Sequence, residues 1–287
     1  MKRARTTLAI SLAAIGSLAA SSGDDPLLRP IAAEYAQRWL TPQAPKQVFG
    51  NTYAVGFGGL SVALIRTSAG LILVDGAVPQ AVPDIEANLR RLGFSIRDVK
   101  LILSTEPHYD HAGGIAALAR DSGATVIASP PAAAVLQNGG ADPDDPQAST
   151  LARFPAIDKV RAVRNGEQIR LGDVAVTAVA SPGHTEGSMS WQWRSCEGKD
   201  CATVVFASSL NPVASGAWRF SDHPERVTMF RNTFARFRTM PCDILLTAHP
   251  DASGAIRSPR NGSACRAYAD EHEILLNRKL RAEQSPG

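Results

Sequence analysis

No cysteine precedes Cys196, and none of the four cysteines stands in Cys-x-x-Cys spacing. That spacing argues against a cysteine-rich metal site. A Ser-x-x-Lys motif is also missing, which speaks against a serine nucleophile of that type. The uncharged run Leu8 to Ala20 falls short of the roughly 20 apolar residues that a bilayer span requires. There is no internal repeat, and no linker long enough to divide the 287 residues. Nor is there an excess of charge once the leader is set aside. Lys2, Arg3 and Arg5 are three of the 30 cations, against 27 acids, so the remainder is close to neutral. Nothing in that balance calls for nucleic acid or a membrane surface as partner.

What is present begins with a leader. Three cations are followed by a small and apolar run, with Ser17-Leu18-Ala19 as a cleavage-type sequence. We therefore expect a signal peptide over residues 1–20, a single domain over 21–287, and a periplasmic or secreted location. Cysteine usage fits an oxidising compartment. Cys196 and Cys201 flank a polar hairpin-type turn, Glu197 to Asp200, and can close a short bridge. Cys242 and Cys265 would then join the strand before His249 to a C-terminal helix.

An apolar content of 44% supports a real core. The pattern predicts a Pro-rich arm with a helical stretch, Ile31 to Leu40. Short strands follow at Val48-Phe49, Tyr53 to Val55, Ser61 to Ile65 and Leu71 to Val74. Helices are expected at Asp84 to Leu92, up to about Asp121, at Pro131 to Gln137, Glu225 to Phe237 and Ala264 to Lys279. Between them lie strands at Val99 to Leu103, Thr125 to Ile127, Lys159 to Val163, Gln168 to Leu171, Val174 to Ala180, Met189 to Trp193, Thr203 to Ala207 and Ile244 to Thr247. Strands in the middle of each half with helices at both ends suggest two packed sheets between helical layers. Trp191 and Trp193 alternate with Met189 and read as core. The loop Gly139 to Pro146 reads as surface, with its acids solvated. His223 and His272, in His-Pro and charged helical contexts, also read as surface residues.

Chemistry concentrates at Thr105-Glu106-Pro107-His108-Tyr109-Asp110-His111, directly after the apolar strand Val99 to Leu103. His108, Asp110 and His111 are metal-type donors, and Gly113-Gly114 opens a helix behind them. His184, in Ser181-Pro182-Gly183-His184-Thr185, and His249, in Thr247-Ala248-His249-Pro250, each follow an apolar run and sit in a turn. Donors delivered from strand ends into turns are suited to fixing a cation.

This set resembles the metallo-β-lactamase superfamily, whose hallmark is His-x-His-x-Asp-His followed by two distant histidines. It is most similar to the secreted subclass B3 enzymes, through Gly50 to Tyr53, Leu73 to Gly76, Ile85 to Leu89, the Asp110 region, Cys196 to Gly198 and Pro241 to Leu245. One position departs: the family's first motif histidine is Glu106 here. The resemblance implies an α+β fold, the αβ/βα four-layer sandwich with two central mixed sheets flanked by helices. It implies one or two zinc ions. Glu106, His108 and His184 would form the first site, and Asp110, His111 and His249 the second, better occupied site. Asp75 would support the site from behind, although a turn role is equally open to it. Ser209 and Asn211 would meet a substrate carboxylate, although the role of a polar strand end is equally open to them. B3 enzymes also carry a disulfide resembling Cys242–Cys265, and their N-terminal arm lies near the pocket mouth.

The implied reaction is hydrolysis of a β-lactam amide by a metal-bound hydroxide, with Asp110 as the catalytic residue that orients the water or passes its proton, in a monomer acting on a small-molecule substrate. Two alternatives stand beside it. One is another metallo-hydrolase on the same scaffold, a lactonase or thioesterase-like enzyme, since fold does not fix substrate. The other is a zinc-binding protein without turnover. The superfamily often places a bridging acid or cysteine near Phe206 to Leu210, where this chain has Ser208 and Ser209. That argues against a glyoxalase-like bridging carboxylate.

Overall fold

Strands β1 (Lys46–Phe49), β2 (Thr52–Ala54), β3 (Ala63–Thr67), β4 (Gly70–Val74), β5 (Val99–Leu103), β6 (Thr125–Ala128) and β7 (Val160–Ala162) form a seven-stranded sheet in sequence order. A second, five-stranded sheet takes β8 (Gln168–Leu171), β9 (Val174–Ala180), β10 (Met189–Glu197), β11 (Asp200–Ala207) and β12 (Ile244–Thr247) in the order β12-β11-β10-β9-β8. Both sheets are mixed: β4 to β7 and the β11–β12 pair are parallel, the rest antiparallel. The helices are α1 (Ala36–Trp39), α2 (Val82–Arg91), α3 (Tyr109–Ala112), α4 (Ile115–Ser122), α5 (Pro130–Gln137), α6 (Pro224–Thr239) and α7 (Ala264–Gln284). This computed structural model describes residues 25–140, 142–250 and 260–284. The expected leader lies outside them.

Alternation of side chains along the strands builds the layers. In β3 and β4, Leu64, Leu71 and Leu73 face a core shared with Ile85 and Leu89 of α2 and Leu118 of α4. Their neighbours Ala63, Ile65, Ile72 and Val74 face the other way, onto Val176, Trp191, Trp193, Val204 and Phe206 of the second sheet. In β11 the same alternation sends Val205 and Ala207 outward to Phe230, Phe234 and Phe237 of α6 and Leu276 of α7. Three cores separated by two sheets make four layers, the αβ/βα sandwich expected from the sequence. The two tryptophans lie in the inter-sheet core and place their indole N–H groups on Ser104 O (3.3 Å) and Thr52 Oγ1 (2.9 Å).

Several elements differ from expectation. The helical arm is broken into a 3-10 turn at Ala33–Tyr35 and the single turn α1. The helix expected to open at Gly113-Gly114 is α4, but a single turn, α3, precedes it within the ligand loop. A Cβ on Gly114 would lie 2.3 Å from the Gly76 carbonyl, so only glycine permits this close approach of helix to strand end. Strands β10 and β11 run further than periodicity suggests, because their pairing continues to Cys196 opposite Cys201. Those two sulfurs are 2.08 Å apart, as are those of Cys242 and Cys265. A bridge across a separation of 23 residues contributes about 3 kcal/mol in the chain-entropy account.

His272 is a correction to the surface assignment. It is buried in α7, where its ring Nδ1 lies 2.7 Å from Tyr268 O. Burial pushes its pKa below the ordinary 6.5, against the backbone bond and Glu271. A depressed folded pKa means that the neutral form is the one folded in. Its stability contribution is therefore full above the unfolded value and lost as pH falls through the folded one. His272→Gln should flatten the loss of stability below about pH 6.5. Urea midpoints from pH 7 down to pH 5, with chelator present throughout, measure this, and parallel curves for the two proteins would refute it.

Candidate active site

Five strand ends meet at one edge of the two sheets. β4 ends at Asp75, β5 runs into residues 104–108, β9 leads to His184, β11 to Ser208 and Ser209, and β12 to His249. Two backbone bonds hold the sheets together there, Met189 N to Thr105 O (2.7 Å) and Ser61 N to Ala248 O (3.0 Å).

Asp75 is fully buried and adopts φ 65°, a left-handed conformation that costs a non-glycine residue on the order of 1 kcal/mol. Its carboxylate accepts Thr105 N–H at Oδ1 and Thr105 Oγ1–H at Oδ2, both at 2.7 Å. Oδ2 also lies 3.5 Å from His111 Nδ1. His111 is thus turned so that Nε2 faces the site. Around that atom gather Glu106 Oε1 at 2.9 Å, His249 Nε2 at 3.0 Å and Asp110 Oδ2 at 3.4 Å. Asp110 Oδ2 is 3.3 Å from His249 Nε2. Asp110, His111 and His249 are therefore brought together.

The position of Glu106 differs from the grouping expected for it. Rather than siding with His108 and His184, its carboxylate joins His111 and His249, with donor atoms within 4.8 Å of one another. Ser209 holds it there, through Oγ to Oε1 at 2.7 Å and N–H to Oε2 at 3.1 Å. The Ser209 hydroxyl is consequently engaged with Glu106 and not presented to a substrate. His108 and His184 sit beside this group, ring centroids 5.0 Å apart at 66°. His184 Nδ1 lies 2.9 Å from Asn211 O, which leaves Nε2 as its free donor; Gln147 Nε2 is 3.4 Å from that atom.

Electrostatics tell the same story. Burial pushes the Asp110 carboxyl up, yet the adjoining His111 and His249 outweigh it and hold it well below the usual range. Burial likewise opposes the ionised form of Glu106, and His111, His184 and His108 outweigh it. Burial lowers His111, but Asp110 and Glu106 hold it well above an ordinary imidazole. Two carboxylates around buried imidazoles make a space that favours positive charge, and the oxygen and nitrogen donors suit zinc. The residues fit a metal.

The loop assigned to the surface requires a second correction. Asp144 is exposed, but Asp145 is buried with Oδ2 3.0 Å from His108 Nε2. Sequence reasoning missed this contact, as it missed the clamp of Thr105 on Asp75. Asp145 carries no motif, and only the neighbouring prolines Pro143 and Pro146 hint at an ordered loop. At the mouth, the Trp39 ring lies 6.0 Å from Tyr109 and 6.2 Å from His249, so the N-terminal arm reaches the site.

Asp75→Ala strips Thr105 and His111 of their shared acceptor. It should weaken binding of a divalent metal about 10- to 100-fold. Competition against a chromophoric chelator measures the loss, and unchanged affinity in a folded variant would contradict this role for Asp75.

The sequence profile of the metallo-β-lactamase superfamily matches residues 55–197. A solved B3 metallo-β-lactamase with an active-site glutamic acid is 53% identical, covers 92% of this chain and 100% of its own, and superposes with a TM-score of 0.89. A subclass B3 enzyme isolated from a soil metagenome library is 42% identical over 85% of this chain and 98% of its own, with a TM-score of 0.81. Among curated proteins, the hydroxyacylglutathione hydrolase of Rhodospirillum rubrum is 24% identical over 69% of this chain, and the match spans 66% of that enzyme. Another such hydrolase, from Methylococcus capsulatus, is matched over 48% of its length. With the fold, the strand-end donors and these relatives in agreement, the chain belongs to the metallo-β-lactamase superfamily.

Proposed function

We propose that the protein is a zinc-dependent β-lactam hydrolase of the B3 type, opening the lactam amide of penicillins, cephalosporins or carbapenems. The observation that carries this reading is 53% identity to a B3 enzyme over that enzyme's entire length. It is joined to the convergence of Asp110, His111 and His249 at one point, two of them buried and His249 half-buried.

Asp110, His111 and His249 would hold one zinc, with Glu106 within reach of the same set. Bound there, zinc would supply Lewis-acid chemistry to the amide carbonyl and make water a better nucleophile near neutral pH. Asp110 is kept ionised by its neighbours, so its carboxylate orients the attacking water and receives its proton. That proton can then pass to the departing lactam nitrogen. Asp75 and Thr105 keep His111 in one tautomer and one orientation throughout. Trp39 and Tyr109 wall the mouth and limit water. Asn211, whose side-chain oxygen has no partner among the described residues, remains the group placed to meet a polar part of the substrate.

A single tight zinc is part of the reading, because Ser209 turns Glu106 away from His108 and His184. Glu106→His should raise the zinc retained after dialysis from one toward two per chain. Two tight ions in both proteins would overturn this. We also infer export to the periplasm or beyond, with the leader removed, both cysteine pairs oxidised and the mature chain monomeric.

A thioesterase-like reading is favoured by the hydroxyacylglutathione hydrolases among the relatives. Against it stand Ser208 and Ser209 at the end of β11, where a bridging acid would be needed. Purified protein should hydrolyse nitrocefin and a carbapenem, lose that activity in EDTA and regain it with zinc. Serine-directed inhibitors should leave it untouched. Turnover of a hydroxyacyl glutathione thioester without β-lactam turnover would replace the proposal, and EDTA-resistant nitrocefin hydrolysis would end it.

A further inference from the structure

Asp145 belongs to the segment between α5 and β7, and no motif drew attention to it. The residue is 3% exposed, and both carboxylate oxygens are used. Oδ1 accepts Gln147 N–H at 2.7 Å, which closes the local turn. Oδ2 lies 3.0 Å from His108 Nε2. A buried carboxylate accepts and does not donate, so the imidazole must carry its proton on Nε2. The only nitrogen of His108 then free to act as a donor to a metal is Nδ1.

The segment that delivers Asp145 is fixed at three further points. Asp144 O accepts from Arg226 Nη2 of α6 at 3.1 Å, Pro146 O accepts Ser215 N–H at 2.9 Å, and Ser149 Oγ meets Ser215 Oγ at 2.7 Å. The segment also brings Gln147 to 3.4 Å from His184 Nε2. One loop therefore touches both imidazoles of the first set. If Asp145 served only the loop, Oδ1 and its turn would suffice. The second oxygen is instead spent on a residue of the donor motif.

We propose that Asp145 is a positioning residue for His108: it holds the Nε2 proton, presents Nδ1 to the metal, and so couples the order of the 142–149 loop to metal occupancy at His108 and His184. The inference rests on the reading above that His108 is a metal ligand. Because the coupling is reciprocal, metal at this set should order the loop, and loosening the loop should weaken the metal. The tight set of Asp110, His111 and His249 takes its support from Asp75 and is independent of Asp145.

The test uses the full-length mature protein labelled with 15N-histidine. In the zinc-free wild type, His108 should show the Nε2–H tautomer. Asp145→Ala should release it to a tautomer mixture, while Asp145→Asn, which keeps an acceptor oxygen, should retain more of the wild-type form. Zinc affinity is measured in parallel, in the wild type and in the Glu106→His background where the first set is expected to fill. Asp145→Ala should weaken the first set about 10- to 100-fold and leave the tight site unchanged. A wild-type His108 protonated at Nδ1 would overturn the proposal even if no variant folds. So would an unchanged tautomer in Asp145→Ala, or equal weakening of both sites. Neither readout involves β-lactam turnover, so the proposal and the hydrolase reading fail separately.

Discussion

Asp75 joins three things that would otherwise be independent: the end of β4, the end of β5 and the orientation of His111. Its backbone is strained at φ 65°, and its carboxylate is entirely withdrawn from water. Two 2.7 Å bonds from Thr105 offset part of these penalties, although burial still pushes the Asp75 carboxyl above its ordinary value. The third contact, to His111 Nδ1, aims Nε2 at the site. An imidazole fixed in this way costs no further ordering when a cation arrives.

The rest of the site extends that logic outward. His184 is oriented by the Asn211 carbonyl, His108 by Asp145, and Glu106 by Ser209. Each donor is aimed by a partner drawn from a different element, and those elements are stacked by three apolar cores. The sandwich thus brings rigid strand ends together and leaves the chemistry to short turns. Such an edge suits hydrolysis, because donors on strand ends move less than donors on long loops.

Glu106 gives this chain its individual character. Glu106 carries a charge that an imidazole lacks, so it draws toward His111 and is caught by Ser209. A histidine at that position would supply a neutral donor and demand no such balance. The site is accordingly biased toward one set of donors, and a metal bound there would sit among more negative charge. A cation in such surroundings is a weaker Lewis acid than one held by neutral imidazoles alone.

Much of this was legible in the chain itself. Periodicity marked the strands because β3, β4 and β11 alternate between two apolar cores, and the donor motif stood out because it follows a buried strand. The breaks were harder. The opening of α4 was read from Gly113-Gly114, but the close approach of Gly114 to the Gly76 carbonyl is one that no window of sequence records. Local pattern also misplaced His272 and Asp145, since each is buried by elements distant in the chain. The sequence by itself determined the residue types, the layers and the donors, because those follow from side-chain chemistry and local period. Only the tertiary structure decided which way Glu106 turns and that Asp145 reaches His108. Both depend on contacts across 103 and 37 residues, where packing and not local preference sets the distance.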